Sequence, residues 1–238
     1  MFDFSNQVAM ITGATGNLGG ATARAFYAAG ANLVLVDRNA EKQGEHFADL
    51  AGDARCLLTS PVDFVDPAAL QAVVAAAVAR FGRIDILVHT VGGYQAGSPL
   101  DQTPLATLDY LHNLNVRTLF VVAQAVIAQM RSQQAGRILT VAGRAGLAGG
   151  ANSAAYSAAK AAVIRLTESM AAELRPAGIT ANCILPGTID TPENRRAMPK
   201  ADFSRWVQPA ALAGVILALA APISQEISGA AIPVYGQS

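Results

Sequence analysis

The sequence predicts an α/β fold, a doubly wound parallel sheet of about seven strands with helices on both faces. Three observations carry this. Short apolar runs alternate with longer, alanine-rich stretches of helical period along the 238 residues. The short runs are almost unbroken in their hydrophobicity, as strands covered on both faces must be. A glycine-rich turn joins the first run to the first helical stretch.

The elements follow in order. "VAMI" (8–11) starts the sheet and leads into a helix over 18–29. "NLVLV" (32–36) precedes a helix over 40–50, and "ARCLL" (54–58) precedes one over 67–81. "IDILVH" (84–89) leads to a long helix over 104–131, and "RILTV" (137–141) to a second over 153–175. "TANCIL" (180–185), a helix over 209–221 and "AAIPV" (230–234) complete the chain. Strand–helix–strand repetition of this kind implies right-handed crossovers. With no linker, repeat or low-complexity tract, residues 1–238 are expected to form one domain. The polar segment 187–207, broken by Pro192 and Pro199, interrupts the rhythm. Long irregular segments in compact domains are often lids, so a substrate lid is expected around 188–207.

Bulk chemistry narrows the function. Seventeen basic and seventeen acidic residues cancel, which argues against a nucleic-acid or anionic-membrane partner. Only 14% of residues are charged, leaving surface available for other subunits. Cys56 and Cys183 lie in apolar runs and read as buried free thiols of a reducing compartment. His46, His89 and His112 lack metal-ligand spacing, so no metal is expected. The N-terminus runs straight into a strand, and "ALAGVILALAAPI" is too short to span a bilayer. The expectation is a cytoplasmic protein with no membrane partner and a small-molecule substrate.

Two motifs carry chemistry. In "VAMITGATGNLGGATARAF", Gly13 permits a tight turn, Gly16 lets backbone approach a phosphate, and Gly19 lets helix and strand close up. The following helix presents unpaired N–H groups and a positive dipole end to a pyrophosphate. Asp37, ending "NLVLVD", is placed to accept from ribose hydroxyls and to repel a 2′-phosphate. Arg38 beside it would favour that phosphate, so NAD(H) is preferred and NADP(H) stays possible. Asp63 either meets the adenine amine or serves as a turn residue. The second motif is "YSAAK": Tyr156 and Lys160, four apart, share one helix face. A nearby ammonium is expected to draw the phenol down from its ordinary value near 10.

In this order these motifs resemble the short-chain dehydrogenase/reductase family along the whole chain. The resemblance implies a Rossmann-type fold, hydride transfer at nicotinamide, and a homodimer or homotetramer built through the two long helices. It implies that Tyr156, Lys160 and Asn115 of "LHNLNVRTLF" are catalytic. It further implies cofactor contacts from Gly13, Thr15, Gly16, Asn17, Leu18, Gly19, Asp37, Arg38, Asp63 and Phe64. Val91, Gly92, Tyr156 and Lys160 join them, as do Pro186, Gly187, Ile189 and Thr191 of "LPGTIDTP".

Three departures stand out. Gly143 in "VAGRAG" occupies the position of the family's catalytic serine, and the loss of such a donor typically costs about 10²–10³ in rate. "TGATGNLG" carries its middle glycine one position early, and "HTVGG" replaces the usual Asn-Asn-Ala-Gly. All three are similar to features of the dihydropteridine reductase branch. So is the lid, "IDTPENRRAMPKADFSRW", which matches that branch's LDTPxNRxxMPxADxSxW pattern. A substrate site is therefore expected near Tyr94, Gly143, Ser153, Met198 and Trp206, where the two aromatics either stack on a planar ring or anchor their loops to the core. The implied activity is NAD(P)(H)-dependent hydride transfer to or from a carbonyl or quinonoid/imine substrate. Two alternatives stay open. One is an ordinary alcohol/ketone dehydrogenase in which Ser153, Thr140 or water replaces the serine. The other is a non-catalytic dinucleotide-binding regulatory protein.

Overall fold

The computed structural model describes residues 2–237. Seven strands, β1 (Val8–Thr12), β2 (Asn32–Val36), β3 (Cys56–Thr59), β4 (Ile86–His89), β5 (Gly136–Val141), β6 (Ile179–Pro186) and β7 (Ala231–Val234), form one sheet. Their spatial order is β3-β2-β1-β4-β5-β6-β7, and every neighbouring pair is parallel. The order reverses between β1 and β4. Loops leaving the carboxyl ends of those two strands diverge there and open a crevice.

Alternation along each strand divides the core. Val8, Met10, Val34, Val36, Leu87 and Ile138 face one side, where α3 (Pro67–Phe81), α5 (Thr118–Gln133) and α6 (Ala154–Leu174) pack. Ala9, Ile11, Leu33, Leu35, Ile86 and Val88 face the other, under α1 (Asn17–Ala28) and α8 (Pro209–Ala220). Helix ends follow local chemistry. Asp66 caps α3 by accepting from the Ala68 N–H, Pro67 occupies the first turn, and Gly82 ends it at φ 78°. Two shorter helices, α2 (Ala40–His46) and α4 (Leu105–His112), complete the layers, and α2 stops well before residue 50.

Two expectations need correction. The helix expected over 104–131 is interrupted: α4 ends at His112, a π-helical turn spans Asn113–Arg117, and α5 resumes at Thr118. The Asn115 amide donates to the Leu111 carbonyl at 2.9 Å and the Thr118 hydroxyl to the Leu114 carbonyl at 2.7 Å. Side chains that bind the backbone one turn back compete with the regular ladder and loosen it. The segment 187–207 also contains α7 (Pro192–Ala197), begun by Thr191, whose side chain accepts from the Asn194 N–H. Taken together with its π-helical turn, the stretch Leu105–Gln133 has the length and apolarity of a membrane span. Half of its most apolar window is buried, with Leu119, Val122, Val126 and Met130 turned into the core.

Candidate active site

The carboxyl ends of β1, β2, β4, β5 and β6 bring the sequence motifs to one edge of the sheet. The glycine-rich turn is the most tightly determined part. Gly13 sits at φ +73°, which side-chain-bearing residues rarely adopt, and a Cβ on Gly19 would lie 2.2 Å from the Gly13 carbonyl oxygen. Gly16 precedes α1 in extended backbone and brings no capping side chain, and α1 carries no acidic residue in its first turn. The result is a cradle of open N–H groups at a positive helix end, which fits a pyrophosphate. Leu18 is buried behind it.

Asp37 does more than the sequence shows. One carboxylate oxygen accepts from both the N–H and the hydroxyl of Thr15, each at 2.9 Å, and the other from the Asn39 N–H at 3.1 Å. It therefore braces the turn from below, with acceptor capacity left for a ribose hydroxyl. Arg38 beside it is exposed. Asp63 accepts from the Val65 N–H at 3.0 Å in a local turn, and the Phe64 side chain lies in the core.

The second cluster centres on α6. The Lys160 ammonium is buried and donates to the Val141 carbonyl at 3.2 Å. A Cβ on Gly92 would come within 2.8 Å of Asn115 Oδ1 and 3.2 Å of Lys160 Nζ, so these groups share one small space. Asn115 grips the loop after β4 by accepting from the Gly93 N–H at 3.1 Å and donating to the Gly93 carbonyl at 3.3 Å. Val91 packs beside the core and touches the position a Gly13 Cβ would take. The Tyr156 hydroxyl lies 3.4 Å from the position a Gly143 Cβ would occupy. Gly143 itself is fully extended (φ 166°, ψ 167°), a conformation open to any residue.

Burial overrides the expected tuning of the phenol. The Tyr156 hydroxyl is pushed up to about 12, by desolvation first and the neighbouring Tyr94 second. Lys160 is itself drawn down to about 8 by burial, and its ammonium stands 5.8 Å from the centre of the Tyr156 ring. At that range its charge does not offset the loss of solvent around Tyr156. The phenol is held protonated at neutral pH.

The expected substrate residues separate. The Tyr94 ring meets Tyr156 edge-on at 4.9 Å and is 72% exposed, an open aromatic surface at the mouth. Trp206 is only 8% exposed and leans on Phe203, so it anchors the lid and is no free stacking surface. The Ser153 hydroxyl is engaged by the Gly150 carbonyl at 2.9 Å and the Ser157 hydroxyl at 3.1 Å, which ties it to the start of α6. Thr140 is likewise buried, its hydroxyl 2.7 Å from that of Thr167. Met198 is exposed at the end of α7. Pro186 ends β6, the Gly187 N–H donates to the Val234 carbonyl, and Ile189 bridges to Val207.

Sequence reasoning gave His89 no catalytic part, and its surroundings agree. It is fully buried, its Nδ1 2.9 Å from the Thr12 hydroxyl and its Nε2 3.4 Å from that of Thr118. Burial first, then Lys160, lower it to about 3, so it stays neutral and ties β1 to the start of α5. Gly93 and the Val141 carbonyl were missed altogether. No side-chain pattern announces a backbone partner.

Comparison with known proteins fits this geometry. A family model for short chain dehydrogenases matches residues 7–202. The chain belongs to the short-chain dehydrogenase/reductase family. It is 35% identical over 239 residues to a (2S)-[(R)-hydroxy(phenyl)methyl]succinyl-CoA dehydrogenase subunit of Thauera aromatica, covering 97% of this chain and 96% of that one. It is 36% identical to levodione reductase of Leifsonia aquatica over 84% of this chain and 75% of that one. Among solved structures, an NAD⁺-bound xylitol dehydrogenase superposes with a TM-score of 0.89 at 28% identity, covering 98% of this chain and 99% of the other. As a member of this family the chain is an NAD(P)-dependent oxidoreductase.

Proposed function

We propose that this dehydrogenase/reductase works as an NADH-dependent reductase of a planar, electron-poor substrate, with Tyr156 as proton donor. The observation that carries the reading is the pairing of a protonated, half-buried phenol with an open flank at Gly143, where a Cβ would meet only the Tyr156 hydroxyl. A ketone develops an oxyanion that a second donor must hold, and Gly143 brings none. A conjugated imine or quinonoid ring spreads its charge and makes less use of that donor. The exposed face of Tyr94 offers such a ring a stacking partner. The fit to the dihydropteridine reductase branch rests on this combination and on the lid sequence.

The dinucleotide, when bound, supplies the hydride. Gly13, Gly16, Gly19 and the first turn of α1 would hold its pyrophosphate, and Asp37 its ribose, which favours NADH over NADPH. Lys160 and Asn115 meet beside Gly92 at the interior end of the site, and Asn115 holds the loop after β4. Tyr156 would hand its hydroxyl proton to the substrate heteroatom that gains electron density on reduction, an imine nitrogen or a carbonyl oxygen. Lys160, titrating near 8, is the adjacent group able to exchange protons in the working range. The low share of charged residues in the chain, 14%, supports assembly as a homodimer or homotetramer.

A second reading has its own support in relatives named as alcohol or carbonyl enzymes, levodione reductase among them. In it, water at the Gly143 flank replaces the missing hydroxyl. Following NADH oxidation with quinonoid dihydropterin and with a simple cyclic ketone separates the two. The first reading expects turnover of the dihydropterin at least tenfold above the ketone, and loss of about 10²–10⁴ in kcat for Tyr156→Phe with NADH affinity unchanged. Equal or greater turnover of the ketone selects the second. Wild-type kcat in Tyr156→Phe removes Tyr156 as the donor.

A further inference from the structure

The lid touches the cofactor turn at a charged group. Glu193, in the first turn of α7, accepts a hydrogen bond from the Asn17 side-chain amide at 3.0 Å, across 176 positions of sequence. Asn17 is the first residue of α1, at the edge of the pyrophosphate cradle, where Gly16 supplies no capping side chain and α1 no acid of its own. The lid's base is fastened separately. Asp190 is paired with Arg195 at 2.6 and 2.7 Å and accepts from Gln208 at 2.7 Å, while Ile189 bridges to Val207. Arg196 lies 3.3 Å from the other oxygen of Glu193, exposed and weakly held.

We propose that Glu193 is a displaceable clasp: it holds the lid on the cofactor turn, and the pyrophosphate of an entering dinucleotide must drive it off. The inference rests on the assignment of that turn to the cofactor. A carboxylate near an open helix N-terminus is favoured by the same dipole and N–H groups that favour a phosphate. Glu193 reaches that end through the Asn17 side-chain amide, at the edge of the space a pyrophosphate would take. Two negative phosphates brought within a screening length, about 8 Å in physiological salt, repel the carboxylate. Cofactor entry and release of the lid tip are therefore coupled, and the coupling works in both directions. A lid held on the turn lowers dinucleotide affinity, and a bound dinucleotide frees the Glu193 side chain from the turn while the Asp190–Arg195 pair keeps α7 on the base of the lid.

The test is equilibrium binding of NADH, read by fluorescence, to wild type and to Glu193→Gln, with adenosine displacement as a control lacking phosphate. Glu193→Gln keeps the shape of the side chain, and the exposed position leaves the fold intact. It is expected to tighten NADH binding about three- to tenfold at low salt, with the gap closing near about 0.5 M salt and adenosine affinity unchanged. Trypsin should cut after Arg196 faster in wild type when NADH is present. Unchanged or weaker NADH binding by Glu193→Gln, or equal tightening of adenosine, overturns the clasp while leaving the cofactor assignment standing. A wild-type chain that binds neither NADH nor NADPH overturns that assignment and the clasp with it.

Discussion

The two halves of the crevice are built on different principles. At the β1–α1 turn, backbone meets backbone: Gly19 has no room for one extra carbon, Gly13 is in a glycine conformation, and Asp37 braces Thr15 through two bonds. Around Tyr156 the neighbours are side chains and open space. Gly143 is extended and meets a single group at ordinary contact distance, and Tyr94 is exposed. A glycine thus means opposite things in the two halves. At 19 it is required by packing, whereas at 143 it is a choice about chemistry.

The sharpest way to break this contrast is substitution at the two glycines. Gly19→Ala forces a methyl into the Gly13 carbonyl, and backbone there cannot yield cheaply. The expected result is a loss of about 3 kcal/mol or more in stability, with dinucleotide binding reduced at least a hundredfold, measured by thermal unfolding and titration. An alanine variant of normal stability and affinity would mean the turn is softer than its contacts imply.

Lys160 gives an intermediate effect with a distinctive pH signature. Its folded value of about 8 lies below its ordinary 10.5, so between these pH values the unfolded chain holds the proton that the native chain has lost. Stability from this group therefore rises as pH climbs from 8 to 10.5, and below 8 the buried charge is a standing cost. Lys160→Met is expected to stabilise the chain by about 1–2 kcal/mol at pH 7, after the lost bond to the Val141 carbonyl, and to flatten that rise. Its turnover should fall. A variant less stable than wild type at pH 7 would show that the ammonium has stabilising partners beyond Val141.

Gly143→Ser should move stability least, within about 0.5 kcal/mol, because the extended backbone and the neighbouring space admit it. It sharpens the comparison through activity, where ketone reduction should rise about ten- to a hundredfold relative to the electron-poor ring. A destabilised or unchanged variant would remove the idea that this flank is a specificity choice.

Legibility in the sequence follows the same division. The sheet, its order of elements and the glycine turn could be read because steric rules act on neighbours in sequence. "TGATGNLG" announces its own geometry, and Pro67 with Gly82 marks both ends of α3. The π-helical turn was hidden because Asn115 and Thr118 disturb a helix that hydropathy alone draws as continuous. Trp206 stayed open between stacking surface and loop anchor because composition does not tell whether a lid aromatic faces in or out, and its burial favours the anchor. The phenol's displacement went the wrong way for a related reason. The spacing of "YSAAK" gives proximity to Lys160, whereas desolvation depends on what the rest of the chain builds around the pair.

The central claim is that Tyr156 carries its proton at neutral pH and so is ready to give it away. The direct measurement is the ultraviolet phenolate difference spectrum of wild type against Tyr156→Phe, titrated from about pH 6 to 11 without dinucleotide. The account predicts no ionisation of this tyrosine across that range, in keeping with a hydroxyl pushed up to about 12. A phenolate appearing near pH 7 or 8 would contradict it.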